Sequence, residues 1–156
     1  MTIRRAGIKD TGAVLALLSQ VLELHASIRP DIFVSGTTKY SARELAEIFA
    51  DDSRPVFVAV NETDAVIGYA FCVIRQPSDK TNQVPFSQLY IDDLCVDAAS
   101  RGQGVGEALF RYALKTAKDL GCYEVTLAVW AGNDGARRFY EKMGMRPKET
   151  IMELIL

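Results

Sequence analysis

The chain has 156 residues, 49% of them hydrophobic and 24% charged, with a formal net charge of −2. That length suits one domain spanning 1–156, because no Gly-, Ser- or Pro-rich run is long enough to act as a linker. The near-neutral balance and scattered Lys and Arg exclude a basic face for phosphate backbones, so no nucleic-acid partner is expected, and the apolar content excludes native disorder.

The N-terminus, MTIRRAGIKD, has charges but no apolar run behind them. The apolar stretches read as too short to cross a bilayer, so a cytoplasmic protein without membrane contact is expected. A short strand forms around Ile3. Asp10 or Thr11 then offers a cap to a helix with the stripe Val14, Leu17, Leu18, Val21 and His25, which Pro30 ends. A second helix follows Ser41, with Leu45, Ile48 and Phe49 inward, until Asp51, Asp52 and Pro55 break it.

Val56 to Val60 and Val66 to Ile74 are rich in β-branched and aromatic residues around the turn NETDA, which predicts an antiparallel hairpin. After a polar loop from Gln76 to Pro85 comes a strand from Leu89 to Val96. Strict alternation would put Ile91 and Leu94 on opposite faces, so Asp92-Asp93 marks a β-bulge that splays this strand from its neighbour. Val105, Ala108, Leu109, Tyr112, Ala113 and Leu120 trace a helix closed by Gly121. Glu124 to Val129 is the next strand, and a helix from Asp134 carries Ala136, Phe139, Tyr140 and Met143 before Gly144. Thr150 to Leu156 alternates enough for a last strand.

Cys72, Cys95 and Cys122 are odd in number and far apart, which indicates neither a disulfide framework nor a zinc knuckle. With His25 the sole imidazole and no carboxylates at ligand spacing, no metal is expected.

Arg101-Gly102-Gln103-Gly104-Val105-Gly106 lies after a strand and opens a helix, so several unpaired N–H groups surround one small volume. Glycines keep side chains away and the helix dipole adds positive potential, which makes a diphosphate the natural guest. A P-loop would need Gly-Lys-Ser/Thr where Gly106 is followed by Glu107 and Ala108; a dinucleotide fingerprint would need Gly at 107. Both fail. A plain tight strand-to-helix turn accounts for the glycines equally well, taken alone.

The succession of strand, Arg-x-x-Gly-x-Gly, long helix, strand, Asn, and a helix with Phe-Tyr ending at Gly resembles the GNAT superfamily of N-acetyltransferases over Leu89 to Arg146. The resemblance implies an α/β fold: a twisted mixed sheet of about six to seven strands, splayed by a bulge in the fourth, with about four helices. It implies acetyl-coenzyme A as co-substrate, the pyrophosphate held at Arg101, Gly102, Gln103, Gly104, Val105 and Gly106. Asn133 would bond the pantetheine arm, with Ala136, Phe139 and Val96 beside the cofactor and a backbone N–H near Leu94 or Cys95 for the oxyanion. Family members are often dimers, so a homodimer is carried as an expectation, although no sequence signal speaks for it.

Aminolysis of a thioester needs a neutral amine, an oxyanion donor and a proton for the thiolate. An alkyl ammonium with a pKa of ~10 must be deprotonated, and Asp92 is the first choice of base, with Asp93 second. The segment Tyr-Ile-Asp-Asp is similar to the Tyr-Leu-Glu-Asp of the family's polyamine enzymes, one methylene shorter at the first acid. Alternatively, both acids satisfy donors at the bulge. Tyr140 matches the family's general acid; read without the family, Phe139 and Tyr140 are core aromatics. Cys95 has no histidine partner and is expected to pack. Acceptor contacts are expected from His25, which is equally a core histidine, and from Phe33 and Tyr90, in or beside segments that vary between family members. The expected function is transfer of an acyl group, acetyl above all, to a primary amine. A non-catalytic acyl-CoA sensor is the alternative, and a nucleotide-binding protein is weakened by the missing Lys and Gly.

Overall fold

Val56–Val60 (β2) is apolar at all five positions and buried at every one, as a strand covered on both faces must be. Its neighbours are Thr2–Arg5 (β1) and Val66–Arg75 (β3), both antiparallel to it. Gln88–Val96 (β4) pairs antiparallel with β3, and Glu124–Leu127 (β5) parallel with β4, giving the order β1-β2-β3-β4-β5 in a computed structural model that describes residues 1–156. The β2–β3 turn is tied by Asn61, whose side-chain oxygen accepts from the N–H groups of Thr63 and Ala65 at 3.0 Å each.

Two helices cover one face. Thr11–Ile28 (α1) and Ala42–Phe49 (α2) press Val14, Leu17, Leu18, Leu45 and Ile48 onto Val56, Val58, Tyr69, Phe71 and Cys95. α2 starts where a capping box can form: Ser41 Oγ accepts from the Glu44 N–H, and the Glu44 carboxylate accepts from the Ser41 N–H at 2.7 Å. The other face carries Val105–Asp119 (α3) and Asp134–Lys142 (α4), with Leu109, Phe110 and Ala113 against Phe57, Ala70, Leu89 and Ile91. Gly68 is the point of closest approach. A Cβ there would lie 2.9 Å from the Cys95 carbonyl oxygen and 3.1 to 3.2 Å from Leu109 and Val105, so α3 seats on the sheet because position 68 has no side chain.

Five expectations need correction. The sheet has five strands rather than six or seven. Thr150–Leu156 forms none, because no backbone group beyond Met145 joins another main chain; alternation supplies a pattern, but a ladder needs main-chain bonds. β5 ends at Leu127, two residues early, where its partner swings away. Finally, Ile8–Ile28, at a mean hydropathy of 1.4, is long and apolar enough to cross a membrane by length and composition, although Val14, Leu17, Leu18 and Ala26 are buried on the sheet. Asp10 does not cap α1 either. Its carboxylate accepts two bonds from Arg4, at 2.7 and 2.9 Å, and one from the Gly7 N–H.

Candidate active site

The bulge expected at Asp92-Asp93 is present. Phe71 stands opposite Asp93 and Cys72 opposite Ile91, leaving Asp92 without a cross-strand partner. The extra residue re-aims the strand, so that Ile91, Leu94 and Val96 share the α3/α4 face while Cys95 turns into the α1/α2 core. It also ends the ladder to β5: pairing with that strand runs only from Gln88 to Ile91, whereas pairing with β3 continues to Val96. Residues 92–96 therefore present one unpaired main-chain edge to a cleft.

That edge leads into the glycine turn. Gly102 and Gly104 have φ of 75° and 78°, left-handed values that glycine adopts without strain, and a Cβ on either would meet no atom within 4 Å. Gly104 occupies the N-cap of α3 and has no side chain to bond the first N–H groups of the helix, which stay open to a guest. Val105 is buried, and a Cβ on Gly106 would touch Phe139 and Val96, each at 3.5 Å. Arg101 and Gln103 are exposed, held by bonds to the carbonyls of Val96 (3.4 Å) and Ala99 (3.3 Å). From α1, Gln20 braces the turn by donating to Asp97 at 3.0 Å. The arrangement leaves a turn lined by main chain, with open N–H groups at the positive end of the α3 dipole.

The two aspartates have different surroundings. Asp92 is exposed, with one oxygen 2.6 Å from Lys39 Nζ. Burial is the largest single influence and would lower the Lys39 pKa, but the bond to Asp92 together with the fields of Asp92, Tyr40 and Asp93 outweighs it and holds the ammonium above an ordinary lysine. Asp93 is set deep, its Oδ2 accepting from the Tyr69 hydroxyl at 2.7 Å. Burial pushes its pKa up, against the opposing pull of Tyr69, Lys39 and His25.

Tyr140 packs beside Phe139 and Phe110 at centroid separations of 5.1 and 6.0 Å. Burial, reinforced by the fields of Asp93 and Cys72, raises its phenol well above the ordinary value, so it is fully protonated near neutrality. Arg5 Nε is the one buried side-chain polar atom without a partner; the Tyr140 hydroxyl, which bonds nothing within the chain, opens to solvent. Asn133 caps α4 by accepting from the Ala136 N–H at 3.2 Å, which leaves its amide nitrogen free. Cys95 is buried with Sγ 3.7 Å from the Leu17 carbonyl oxygen, and burial pushes its thiol up to about 12, which makes it packing rather than a nucleophile.

Of the residues expected to meet an acceptor, His25 and Phe33 come together, with centroids 5.2 Å apart. Tyr90 is separate, under the Arg75 guanidinium at 3.8 Å. Sequence reasoning missed three neighbours: Lys39 and Tyr69, which engage the two aspartates, and Trp130, which meets Phe33 edge-on at 5.3 Å and lies 5.9 Å under Arg29 of the expected acceptor segment. No local signal marks them, because each acts through a partner distant in sequence.

The sequence model described as the Acetyltransferase (GNAT) family matches residues 19–145. The chain is 26% identical over 152 residues to the thialysine N-epsilon-acetyltransferase of Bos taurus, covering 91% of this chain and 82% of that protein. It superposes on a mutant of the BH1408 protein from Bacillus halodurans with a TM-score of 0.95 at 31% identity, covering 100% of this chain and 99% of that one. With glucosamine-6-phosphate N-acetyltransferase from Arabidopsis thaliana the TM-score is 0.73 at 25% identity, covering 99% and 97% of the two chains.

Proposed function

The chain belongs to the acetyltransferase (GNAT) family and is an N-acetyltransferase; we propose that it passes acetyl from acetyl-coenzyme A to a primary amine by direct attack in a ternary complex. The observation that carries this reading is the continuous track from the unpaired edge of β4 into the uncapped N-terminus of α3. A thioester laid along that edge has its diphosphate over the N–H groups between Arg101 and Gly106, where the α3 dipole favours negative charge. N–H groups near Leu94 and Cys95 then point at the thioester carbonyl, and the free amide nitrogen of Asn133, with Ala136 and Phe139, flanks the pantetheine arm.

We assign the proton transfers to Asp93 and Tyr140. Asp93 replaces Asp92 as first choice of base, because its elevated pKa makes it the stronger acceptor, whereas Asp92 already shares an oxygen with Lys39. Asp92 instead draws a cationic acceptor toward the cleft. The acceptor ammonium first passes one proton through Asp93 to solvent; the neutral amine then forms the C–N bond, its second proton goes to Asp93 as the C–S bond breaks, the Tyr140 phenol protonates the departing sulfur, and the phenolate regains its proton from solvent. His25, Phe33 and Trp130 form the aromatic wall that the acceptor's carbon chain meets. The bovine relative is named for thialysine; a terminal primary amine on an aliphatic chain is the acceptor class we favour here.

Incubation with acetyl-CoA and a panel of such amines should release free thiol. Thermal shift compares acetyl-CoA with ATP and NAD, since a ligand at 100 times its dissociation constant stabilises by about 2.7 kcal/mol. Absence of a shift with every CoA thioester would overturn the proposal.

A further inference from the structure

Lys9, Lys115 and Lys148 pair with carboxylates away from the bulge, at Asp64, Asp119 and Glu124, whereas Lys39 reaches the bulge itself and puts Nζ 2.6 Å from Asp92. The main chain around Lys39 is fixed on both sides. Before it, the Glu23 carboxylate of α1 accepts from the Ser35 hydroxyl and the Gly36 N–H, at 2.6 Å each; after it, Ser41 opens the capping box of α2. Tyr40, next in the chain, stacks on Phe71 with centroids 5.7 Å apart, and Phe71 stands opposite Asp93 in the ladder. These anchors deliver a lysine to the cleft. Its ammonium lies 5.4 Å from the centre of the Tyr40 ring and close enough to Asp93 for the two charges to act on each other.

A lysine side chain is a primary amine at the end of an aliphatic chain, the acceptor class favoured above. On the acetyltransferase reading, on which this inference rests, Nζ already occupies the place at Asp92 to which a cationic acceptor is drawn. The N–H of Leu94 is two residues further along β4, about 7 Å at the rise of a strand, and a flexible four-carbon stem spans much of that by rotating. Asp93, the proposed base, stands between them.

We propose that Lys39 is an internal acceptor: with no free amine in the cleft, the chain acetylates its own Lys39 Nζ from acetyl-coenzyme A. The ammonium passes one proton through Asp93 to solvent, and the neutral Nζ forms a C–N bond to the thioester carbonyl carbon. The second proton goes to Asp93 as the C–S bond breaks, Tyr140 protonates the sulfur, and its phenolate regains a proton from solvent. The products are Nε-acetyl-Lys39 and coenzyme A thiol, with one proton released overall. The amide carries no charge, so the pair with Asp92 ends and that carboxylate is left for an incoming cation.

The full chain is incubated with saturating acetyl-CoA and no added amine, then read by intact mass and peptide mapping. One acetyl group per chain should appear on Lys39, with one equivalent of thiol, at a rate per chain that dilution does not change. Uncatalysed acetylation follows exposure instead and would favour Lys115, whose side chain is 71% exposed, over Lys39 at 44%; in urea the preference for Lys39 should vanish. Lys39→Arg keeps a cation at Asp92 and should lose the label, while an unchanged thermal shift with acetyl-CoA verifies that this variant folds and binds. Label spread over the exposed lysines overturns the proposal, as does label at Lys39 whose rate falls with dilution. An unlabelled Lys39 in a chain that acetylates free amines also overturns it and leaves the acetyltransferase reading standing. A chain that neither releases thiol with amines nor shifts with any CoA thioester removes that reading and the inference together.

Discussion

Replacing Tyr69 by Phe removes one oxygen and keeps the ring, whose edge contact with Phe71 at 5.0 Å is undisturbed. The lost hydroxyl is the donor to Asp93 at 2.7 Å. A hydrogen bond to a buried carboxylate contributes about 1.5–3 kcal/mol, and one pK unit corresponds to about 1.36 kcal/mol. The same bond to the protonated acid is worth about 1 kcal/mol, so only the difference, about 0.5–2 kcal/mol, moves the titration, and the Asp93 pKa, already raised by burial, should climb by a further half to one and a half units or so. A carboxyl with a folded pKa above its unfolded value favours folding when protonated, so its contribution is complete below about pH 4 and is lost as pH rises through the folded pKa. Tyr69→Phe should accordingly cost about 1 kcal/mol in acid, the worth of a neutral bond, and about 1.5–3 kcal/mol once Asp93 ionises. Urea denaturation at several pH values reads the first effect. The acid limb of kcat/KM reads the second, moving to higher pH by the same half to one and a half units or so if Asp93 is the base. A stability loss independent of pH, with an unmoved acid limb, would refute the reasoning.

Tyr140→Phe should lower kcat by about 10²- to 10⁴-fold and leave acetyl-CoA affinity, measured by calorimetry, unchanged; because its pKa is raised, the wild type should show no alkaline limb from this group below about pH 10. Gly68→Ala drives a methyl into the Cys95 carbonyl and should cost about 1–3 kcal/mol, a fall in Tm of about 2–4 °C for each kcal/mol. It should also weaken acetyl-CoA binding, because the same methyl displaces Val105 at the start of α3. Asp10→Asn weakens the bidentate pair with Arg4, which keeps its second partner Asp64, and should cost about 1–3 kcal/mol at neutral pH. The Arg4 bond holds the Asp10 pKa below the usual carboxylate range, so this stability is present above about pH 4 and lost as pH falls through the folded value; equal stability of the two proteins at pH 7 would contradict it.

Much of the frame was legible because its signals are local. The capped start of α2 at Ser41, the glycine stops at Gly121 and Gly144, and the parity break between Ile91 and Leu94 each depend on residues within a few positions. The glycine turn was legible for the same reason. The site's electrostatics were not. Lys39 reaches Asp92 across 53 positions and Tyr69 reaches Asp93 across 24, and such pairings leave no periodicity to read. They are the ground on which we propose Asp93 ahead of Asp92 as base. Thr150 to Leu156 forms no strand even though β5 has a free edge, because a ladder needs main-chain bonds and this segment is held only by side chains, Lys148 to Glu124 and Glu153 to Arg29.

The cleft is also a matter of counting. Remove Asp92, and Ile91, Asp93, Leu94 and Cys95 fall back into ordinary alternation without turning any of them around. Nothing would then stop β4 from zipping further along β5, and the slot between them would close. This molecule's opening is thus not carved by bulky walls or held by a hinge; it is the footprint of a single surplus residue, and the length of one strand is as much a functional trait as the identity of any side chain on it.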